Sequence, residues 1–295
     1  MTTDERKSVL ITGCAPGGIG NALCREFQKQ GLRVLATARD AKSLEDLAAL
    51  GIETLSLTVD DESSVQQCFV EIESRVGDKG LDYLVNNAGR NYTVPATEVD
   101  LSEVRTTLEV NFVSVVNICK TFVPLLIKSR GTIVQIGSVA GVIPYVFGSI
   151  YNASKAAIHS YSDTLRVELA PFGVKVTTVV TGGVESRIAR TERTLAPNSI
   201  YVPIEDQYNR RVTHSQDGAM PHTAYAKSVV AQVLYGSAPW RWIWPWAQGQ
   251  KKWIWEGNKS WLIWFLMGGW TWVGAGQFFM TRMFGLNKLK RTIGK

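Results

Sequence analysis

The 295-residue sequence predicts an α/β fold built on a doubly wound parallel sheet, and three observations carry that expectation. Apolar runs of strand length alternate with longer helix-period segments, the pattern left by repeated βαβ crossovers. The runs are almost continuously apolar, as strands covered on both faces must be. A glycine-rich turn directly follows the first run and opens the first helix.

In chain order, SVLIT is the first strand and a helix over 21–30 follows. RVLATA precedes a helix over 43–50, and ETLSL one over 63–76. LDYLVN leads into a long helix over 104–129, TIVQIGS into one over 151–170, and KVTTVV ends the series. The stretch 183–222 is polar and broken by Pro197, Pro203 and Pro221, so it is expected as a substrate loop, with a helix over 224–235 after it. Residues 1–239 then form the catalytic domain and 240–295 an appendage.

The appendage is compositionally distinct. All ten tryptophans lie between Trp240 and Trp272, and Trp240, Trp242, Trp244 and Trp246 alternate with Arg241, Ile243 and Pro245. That alternation predicts a short last strand, the seventh of the sheet. Nine Lys or Arg against one acid, Glu256, give 240–295 a net charge of +8, whereas 1–239 carries −2. A basic segment rich in tryptophan suits an anionic lipid surface better than nucleic acid, which is not expected as a partner. From 260 to 281 run 22 uncharged residues between Lys259 and Arg282, interrupted by Gly268, Gly269, Gly274 and Gly276. A monotopic anchor, a lid over the substrate pocket and a membrane span are the three readings of this run.

With 45% hydrophobic and 20% charged residues, neither a disordered chain nor a polytopic membrane protein is expected. Cys14, Cys24, Cys68 and Cys119 form no CxxC pair and have no histidine at metal-ligand spacing, so free thiols and no metal are expected. The polar N-terminus MTTDERK has no apolar signal region, which points the catalytic body to the cytosol.

Two constellations carry chemistry. Thr12-Gly13-Cys14-Ala15-Pro16-Gly17-Gly18-Ile19-Gly20 between first strand and first helix lets backbone approach a pyrophosphate, whose charge the helix N-terminus stabilises. At the end of the second strand stands Arg39, where an NAD-dependent enzyme presents an acid; a guanidinium there pairs with the 2′-phosphate of NADPH, the alternative being a solvated arginine. Tyr151 and Lys155, four residues apart on a helix, share a face, and a nearby ammonium favours ionisation of the phenol. Ser138 closes the fifth strand thirteen residues before Tyr151, placed to hydrogen-bond a carbonyl oxygen as it gains charge. His159, His214 and His222 suggest no Ser-His-acid triad.

These motifs resemble the short-chain dehydrogenase/reductase family, a Rossmann-type fold, over roughly residues 7 to 240. The family's TGxxxGxG looks like Gly13, Gly18 and Gly20 with one inserted residue, which leaves the loop geometry open. Asn86-Asn87-Ala88-Gly89 matches its NNAG, implying cofactor contact at Asn87, Ala88 and Gly89. Where the family commonly has an adenine-binding Asp stands Thr58, and Asp60 is not substituted for it. Asn111 matches the fourth catalytic residue, whose backbone carbonyl the resemblance implies holds a water linked to Lys155. Thr181-Gly182-Gly183-Val184-Glu185-Ser186 departs from the family's Pro-Gly and Thr, but Ser186 keeps the hydroxyl, so Gly183, Val184 and Ser186 are expected at the cofactor, with Ile19 in the first loop.

Within the family, Phe147 to His159 and Thr181-Gly182-Gly183-Val184 are similar to fungal and yeast 1-acyldihydroxyacetone phosphate reductases. The resemblance implies NADPH-dependent reduction of a hydrophobic ketone, acyldihydroxyacetone phosphate first, with natural-product ketones as the alternative. It also implies a homo-oligomer through the helices over 104–129 and 151–170. The location expected is cytoplasmic, at the cytosolic face of endoplasmic reticulum or lipid droplets. A cofactor-binding scaffold without hydride transfer is the reading from another class, and the intact Asn111, Ser138, Tyr151 and Lys155 argue against it.

Overall fold

The computed structural model describes residues 4–188, 193–236 and 251–266. The expected strands form as β1 (Ser8–Ile11), β2 (Arg33–Ala38), β3 (Glu53–Ser56), β4 (Tyr83–Asn86), β5 (Thr132–Ile136) and β6 (Lys175–Thr181). With β7 (Trp253–Glu256) they make one seven-stranded parallel sheet of order β3-β2-β1-β4-β5-β6-β7. The interior strands are buried along nearly their whole length, which explains their unbroken apolar runs.

Helices cover both faces. On one, α1 (Ile19–Lys29) and α8 (His222–Tyr235) pack Leu23, Phe27, Val229 and Val233 against Val9, Ile11, Val134 and Val179. On the other, α3 (Glu62–Val76), α5 (Ser114–Ser129) and α6 (Ser149–Leu169) pack Ile72, Phe122, Leu126 and Ile158 against Leu10, Leu84 and Ile133. Alternate residues of β1 and β4 thus feed two cores, as the two-residue period of a strand requires. Between these run α2 (Glu45–Ala48) and α4 (Leu101–Leu108). Aspartates start two helices by accepting from backbone N–H groups: Asp61 from Ser63 before α3, and Asp100 from Ser102 before α4.

Two elements differ from the sequence-based expectation. The seventh strand is Trp253–Glu256, which pairs with β6 in register Thr178↔Trp253 to Thr181↔Glu256. The alternating segment 240–246, expected to be that strand, lies outside the described residues. The catalytic sheet therefore extends past residue 239. The stretch 183–222 also contains a helix, α7 (Glu205–Thr213), which starts just after Pro203, with Glu205 and Asp206 in its first turn and Arg210 and Arg211 in its last. Acids at the N-terminus and bases at the C-terminus complement the helix dipole, a signal present in the sequence but masked by the prolines around it. After β7 comes α9 (Ser260–Leu266), the start of the uncharged run.

Candidate active site

The sheet order reverses between β1 and β4, and a crevice opens beyond their C-terminal ends. The two ends are locked together. Thr12 Oγ1 accepts from the backbone N–H groups of Asn87 and Ala88, both at 3.0 Å, and Asn87 Nδ2 donates to the carbonyls of Thr12 (2.8 Å) and Gly13 (3.0 Å). The NNAG motif thus builds the floor under the glycine-rich loop.

The inserted residue of that loop is taken up in a reverse turn. Gly18 N donates to Ala15 O at 3.3 Å, with Pro16 in the second position and Gly17 at φ 70° in the third, the residue pattern of a type II turn. No side chain caps α1, whose first turn begins at the crevice with Gly18 and Ile19 on its wall. Gly20 lies behind the loop rather than on its surface: a Cβ there would stand 2.5 Å from both Asn87 Nδ2 and Gly13 O.

A cavity of about 1120 Å³ runs from Arg39, Asp40 and Ser43 past this loop to Ser138, Tyr151 and Lys155, and on to Tyr145, Arg211 and His214. Gly13, Gly18, Ile19, Asn87, Ala88, Gly89, Gly183, Val184 and Ser186 line it too, as the motifs predict. Thr58 does not. Its backbone N–H is tied to Ser64 Oγ at 2.9 Å, and its neighbours Leu57 and Val59, one residue to either side, face the cavity instead. Asp60, set aside on sequence grounds, is on the wall.

At the centre, α6 brings Tyr151 and Lys155 to the C-terminal end of β5. Lys155 Nζ donates to Ile136 O at 2.9 Å and sits 5.9 Å from the centroid of the Tyr151 ring. Burial pushes the ammonium down to about 8. Burial also raises the Tyr151 phenol, against the opposing pull of the Ser138 hydroxyl and the Arg211 guanidinium. The expected pull of Lys155 on the phenol is not seen in this arrangement, where desolvation sets the direction against Ser138 and Arg211. Tyr151 stands as a neutral acid with a proton to give.

Asn111 is buried off the cavity wall, within a single π-helical turn (Glu109–Val113) between α4 and α5. Its Nδ2 donates to Arg90 O (2.9 Å) and Ser154 Oγ (3.0 Å), while Oδ1 accepts from Arg90 N (2.8 Å). Gly89 lies between it and the lysine: a Cβ there would be 3.3 Å from Asn111 Oδ1 and 3.8 Å from Lys155 Nζ. An interruption of this kind is common where a helix serves a site.

His159 is a contributor that the motifs do not reveal. One turn beyond Lys155, it is buried and accepts the Ser138 N–H on Nε2 at 3.3 Å, with the Trp253 ring edge-on at 5.2 Å. Strand β7 is thereby tied to the backbone of the catalytic serine. Burial first, and Lys155 second, push His159 from 6.5 down to about 4. The unfolded chain therefore binds a proton that the folded one refuses, so this contribution to stability is present above pH 6.5 and lost as pH falls towards 4. The loss is on the order of 3 kcal/mol. Urea unfolding of His159→Leu across pH 4–7 should lack that part of the slope, and its kcat should fall because the Ser138 N–H is left unpaired.

Two arginines were also not singled out by sequence. Arg187 lies over the glycine-rich loop, its Nε 3.1 Å from where a Cβ of Gly17 would be. Arg211 comes from α7. The four cysteines are buried free thiols, with Cys14 and Cys24 Sγ atoms 3.3 Å apart, and no metal-ligating cluster occurs among the described residues.

Comparison with known proteins agrees with this geometry. The short chain dehydrogenase family matches residues 7–196. The NADPH-dependent 1-acyldihydroxyacetone phosphate reductase of Schizosaccharomyces pombe is 46% identical over 207 residues, 68% of this chain and 69% of that one. The short-chain dehydrogenase virD of Hypocrea virens is 40% identical over 292 residues, 98% of this chain and 96% of its own. Among solved structures, a short-chain dehydrogenase from Streptomyces avermitilis superposes with a TM-score of 0.74 over 99% of both chains at 23% identity, a likeness of fold.

Proposed function

The chain belongs to the short-chain dehydrogenase/reductase family, and on that premise we propose that it is an NADPH-dependent reductase of a hydrophobic ketone, with acyldihydroxyacetone phosphate as the leading substrate. The single observation that carries the reading is one continuous cavity joining an arginine-edged nucleotide end to Ser138, Tyr151 and Lys155.

The wall fits a phosphorylated dinucleotide. Arg39 and Ser43 would meet the 2′-phosphate, and the uncapped amides of α1 with Arg187 would meet the pyrophosphate. Gly183, Val184 and Ser186 would flank the nicotinamide. When bound, NADPH supplies hydride to the carbonyl carbon. Ser138 donates a hydrogen bond to the carbonyl oxygen as charge gathers there, and Tyr151 then gives its phenolic proton to that oxygen. Lys155 sits beside Tyr151 to return a proton, with Asn111 holding the backbone near Gly89 that faces it.

The acyldihydroxyacetone phosphate reading is supported by the 46% identical Schizosaccharomyces pombe relative. A bulky natural-product ketone is the second reading; the 40% match to virD, a short-chain dehydrogenase, runs over nearly the whole chain, appendage included, so the resemblance is not confined to the acyldihydroxyacetone phosphate reductase. The proposal extends to the appendage. Ile263 of α9 lines the cavity while Trp261 and Phe265 are 68% and 63% exposed, which supports a segment that meets both substrate and a lipid surface. The remainder of the run to 281 lies outside the described residues. A homo-oligomer through α4, α5 and α6, at the cytosolic face of endoplasmic reticulum or lipid droplets, belongs to the same proposal.

Oxidation of NADPH by the purified enzyme over acylated dihydroxyacetone phosphate, its dephosphorylated form and bulky cyclic ketones tests the reading, with NADH in parallel. Turnover of the acylated compounds with NADPH and little with NADH is expected. Turnover confined to cyclic ketones would support the second reading, and no turnover of any ketone would overturn both.

A further inference from the structure

Arg211 stands on the wall of the same cavity as Tyr151. Its guanidinium carbon lies 3.4 Å from the centroid of the Tyr145 ring, and its Nε donates to Val146 O at 2.8 Å. The Tyr145 hydroxyl in turn shares a hydrogen bond with His214 Nδ1 at 2.7 Å. The loop that carries Tyr145 is itself braced. Phe147 adopts φ 59°, a conformation that costs a non-glycine residue energy and persists only where the surroundings enforce it. Here its carbonyl accepts from Val94 N at 2.8 Å, and its ring stands edge-on to Tyr201 (5.4 Å) and Tyr208 (5.3 Å). Arg211 is thus held in place and is not a trailing surface side chain.

Among the described residues its charge is unanswered. Arg90 and Arg193 both pair with Glu103, and Arg166 pairs with Asp163, but among the described residues no carboxylate pairs with Arg211. The titratable groups that act on it are the phenols of Tyr145, Tyr151 and Tyr208. Asp217 also lines the cavity, but its charge acts on Tyr145. With one edge of the fork bound to Val146 and one face on Tyr145, the Nη groups have no protein acceptor among the described residues. A planar fork fixed in this way is matched to a bidentate oxyanion.

We propose that Arg211 anchors an oxyanion carried by the substrate, a phosphate monoester or a carboxylate, and so sets the ketone against Tyr151. The inference rests on the reductase reading above and names the substrate feature that this site selects. An uncharged ketone would leave the guanidinium desolvated without a partner, so the site discriminates against it as well as for the anion.

The test compares kcat/KM for acylated dihydroxyacetone phosphate, its dephosphorylated form and a keto acid of similar size, in wild type, Arg211→Met and Arg211→Lys at saturating NADPH. In Arg211→Met the ratio of charged to neutral substrate should fall roughly 10- to 100-fold, mainly through KM, with Arg211→Lys restoring part of it. Which anion loses more identifies its source. Inorganic phosphate should inhibit wild type competitively against the neutral ketone, and this inhibition should vanish in Arg211→Met. An unchanged ratio, or inhibition that survives the substitution, overturns the proposal. If wild type oxidises NADPH with no ketone, the reductase reading has failed, and calorimetric titration of inorganic phosphate into the NADP⁺-saturated protein still decides the anchor. Binding by wild type and loss in Arg211→Met sustains it, and equal behaviour overturns it.

Discussion

Tyr151→Phe should bind NADPH as wild type does and reduce ketone about 10²- to 10⁴-fold more slowly, the range lost when a positioned proton donor is removed. The substitution deletes one oxygen and leaves the ring in its place on α6. The phenol is neutral in this environment because burial raises it, so in wild type the proton is there to be transferred throughout the neutral range. Ser138 and Arg211 favour the phenolate left behind, so both lower the cost of giving that proton up, while Lys155 adjoins the ring at 5.9 Å. Ser138, with its Oγ accepting from Ala140 N at 3.1 Å, can hydrogen-bond the carbonyl but is not the acid that protonates it.

Lys155→Met should separate activity from stability. Its rate of reduction should fall about 10²- to 10³-fold, since the only ammonium beside the phenol among the described residues is gone. Yet the protein should not be weakened at neutral pH. Wild-type Lys155 is pushed from 10.5 to about 8 by burial, so below pH 8 the fold carries a buried charge that the unfolded chain holds at no such cost. Between pH 8 and 10.5 the unfolded chain binds the extra proton, and wild-type stability gains about 3 kcal/mol across that window. Methionine abolishes this gain because its cost is absent at every pH. Urea unfolding of both proteins at pH 7 and pH 10 checks it: a stability difference that is largest at pH 7 and shrinks at pH 10 is expected, and a wild-type protein more stable than the variant by the same margin at both would refute the assignment. In activity, the wild-type rate should decline above about pH 8 while the residual rate of the variant does not.

What was legible in the sequence is what lies within a few residues of itself. Tyr151 and Lys155 are on one helix, Ser138 ends a strand, and the NNAG and glycine-rich turns each follow an apolar run, so residue type and spacing placed them on the wall. The insertion in the glycine loop could be counted but not shaped; its turn depends on Gly17 adopting φ 70°. Thr58 matches the family's position in sequence, but its backbone N–H is tied to the Ser64 hydroxyl on α3, a contact that no local pattern shows. The seventh strand shows the limit for tertiary contacts. Trp240 to Trp246 alternate more regularly than Trp253 to Glu256, but the place beside β6 goes to the segment whose carbonyls reach Arg166 and Thr177, at Lys252 and Lys251. His159 and Arg211 act through partners 21 and more than 60 residues away in sequence, and no local pattern announces them.

The central claim is that Tyr151 hands its proton to a ketone as hydride arrives from NADPH. Single-turnover oxidation of enzyme-bound NADPH at saturating ketone, followed at 340 nm for wild type and Tyr151→Phe, addresses it without interference from product release. A wild-type phase that slows about 10²- to 10⁴-fold in the variant, with the NADPH dissociation constant unchanged, is the predicted result. Equal rates in the two proteins would contradict it.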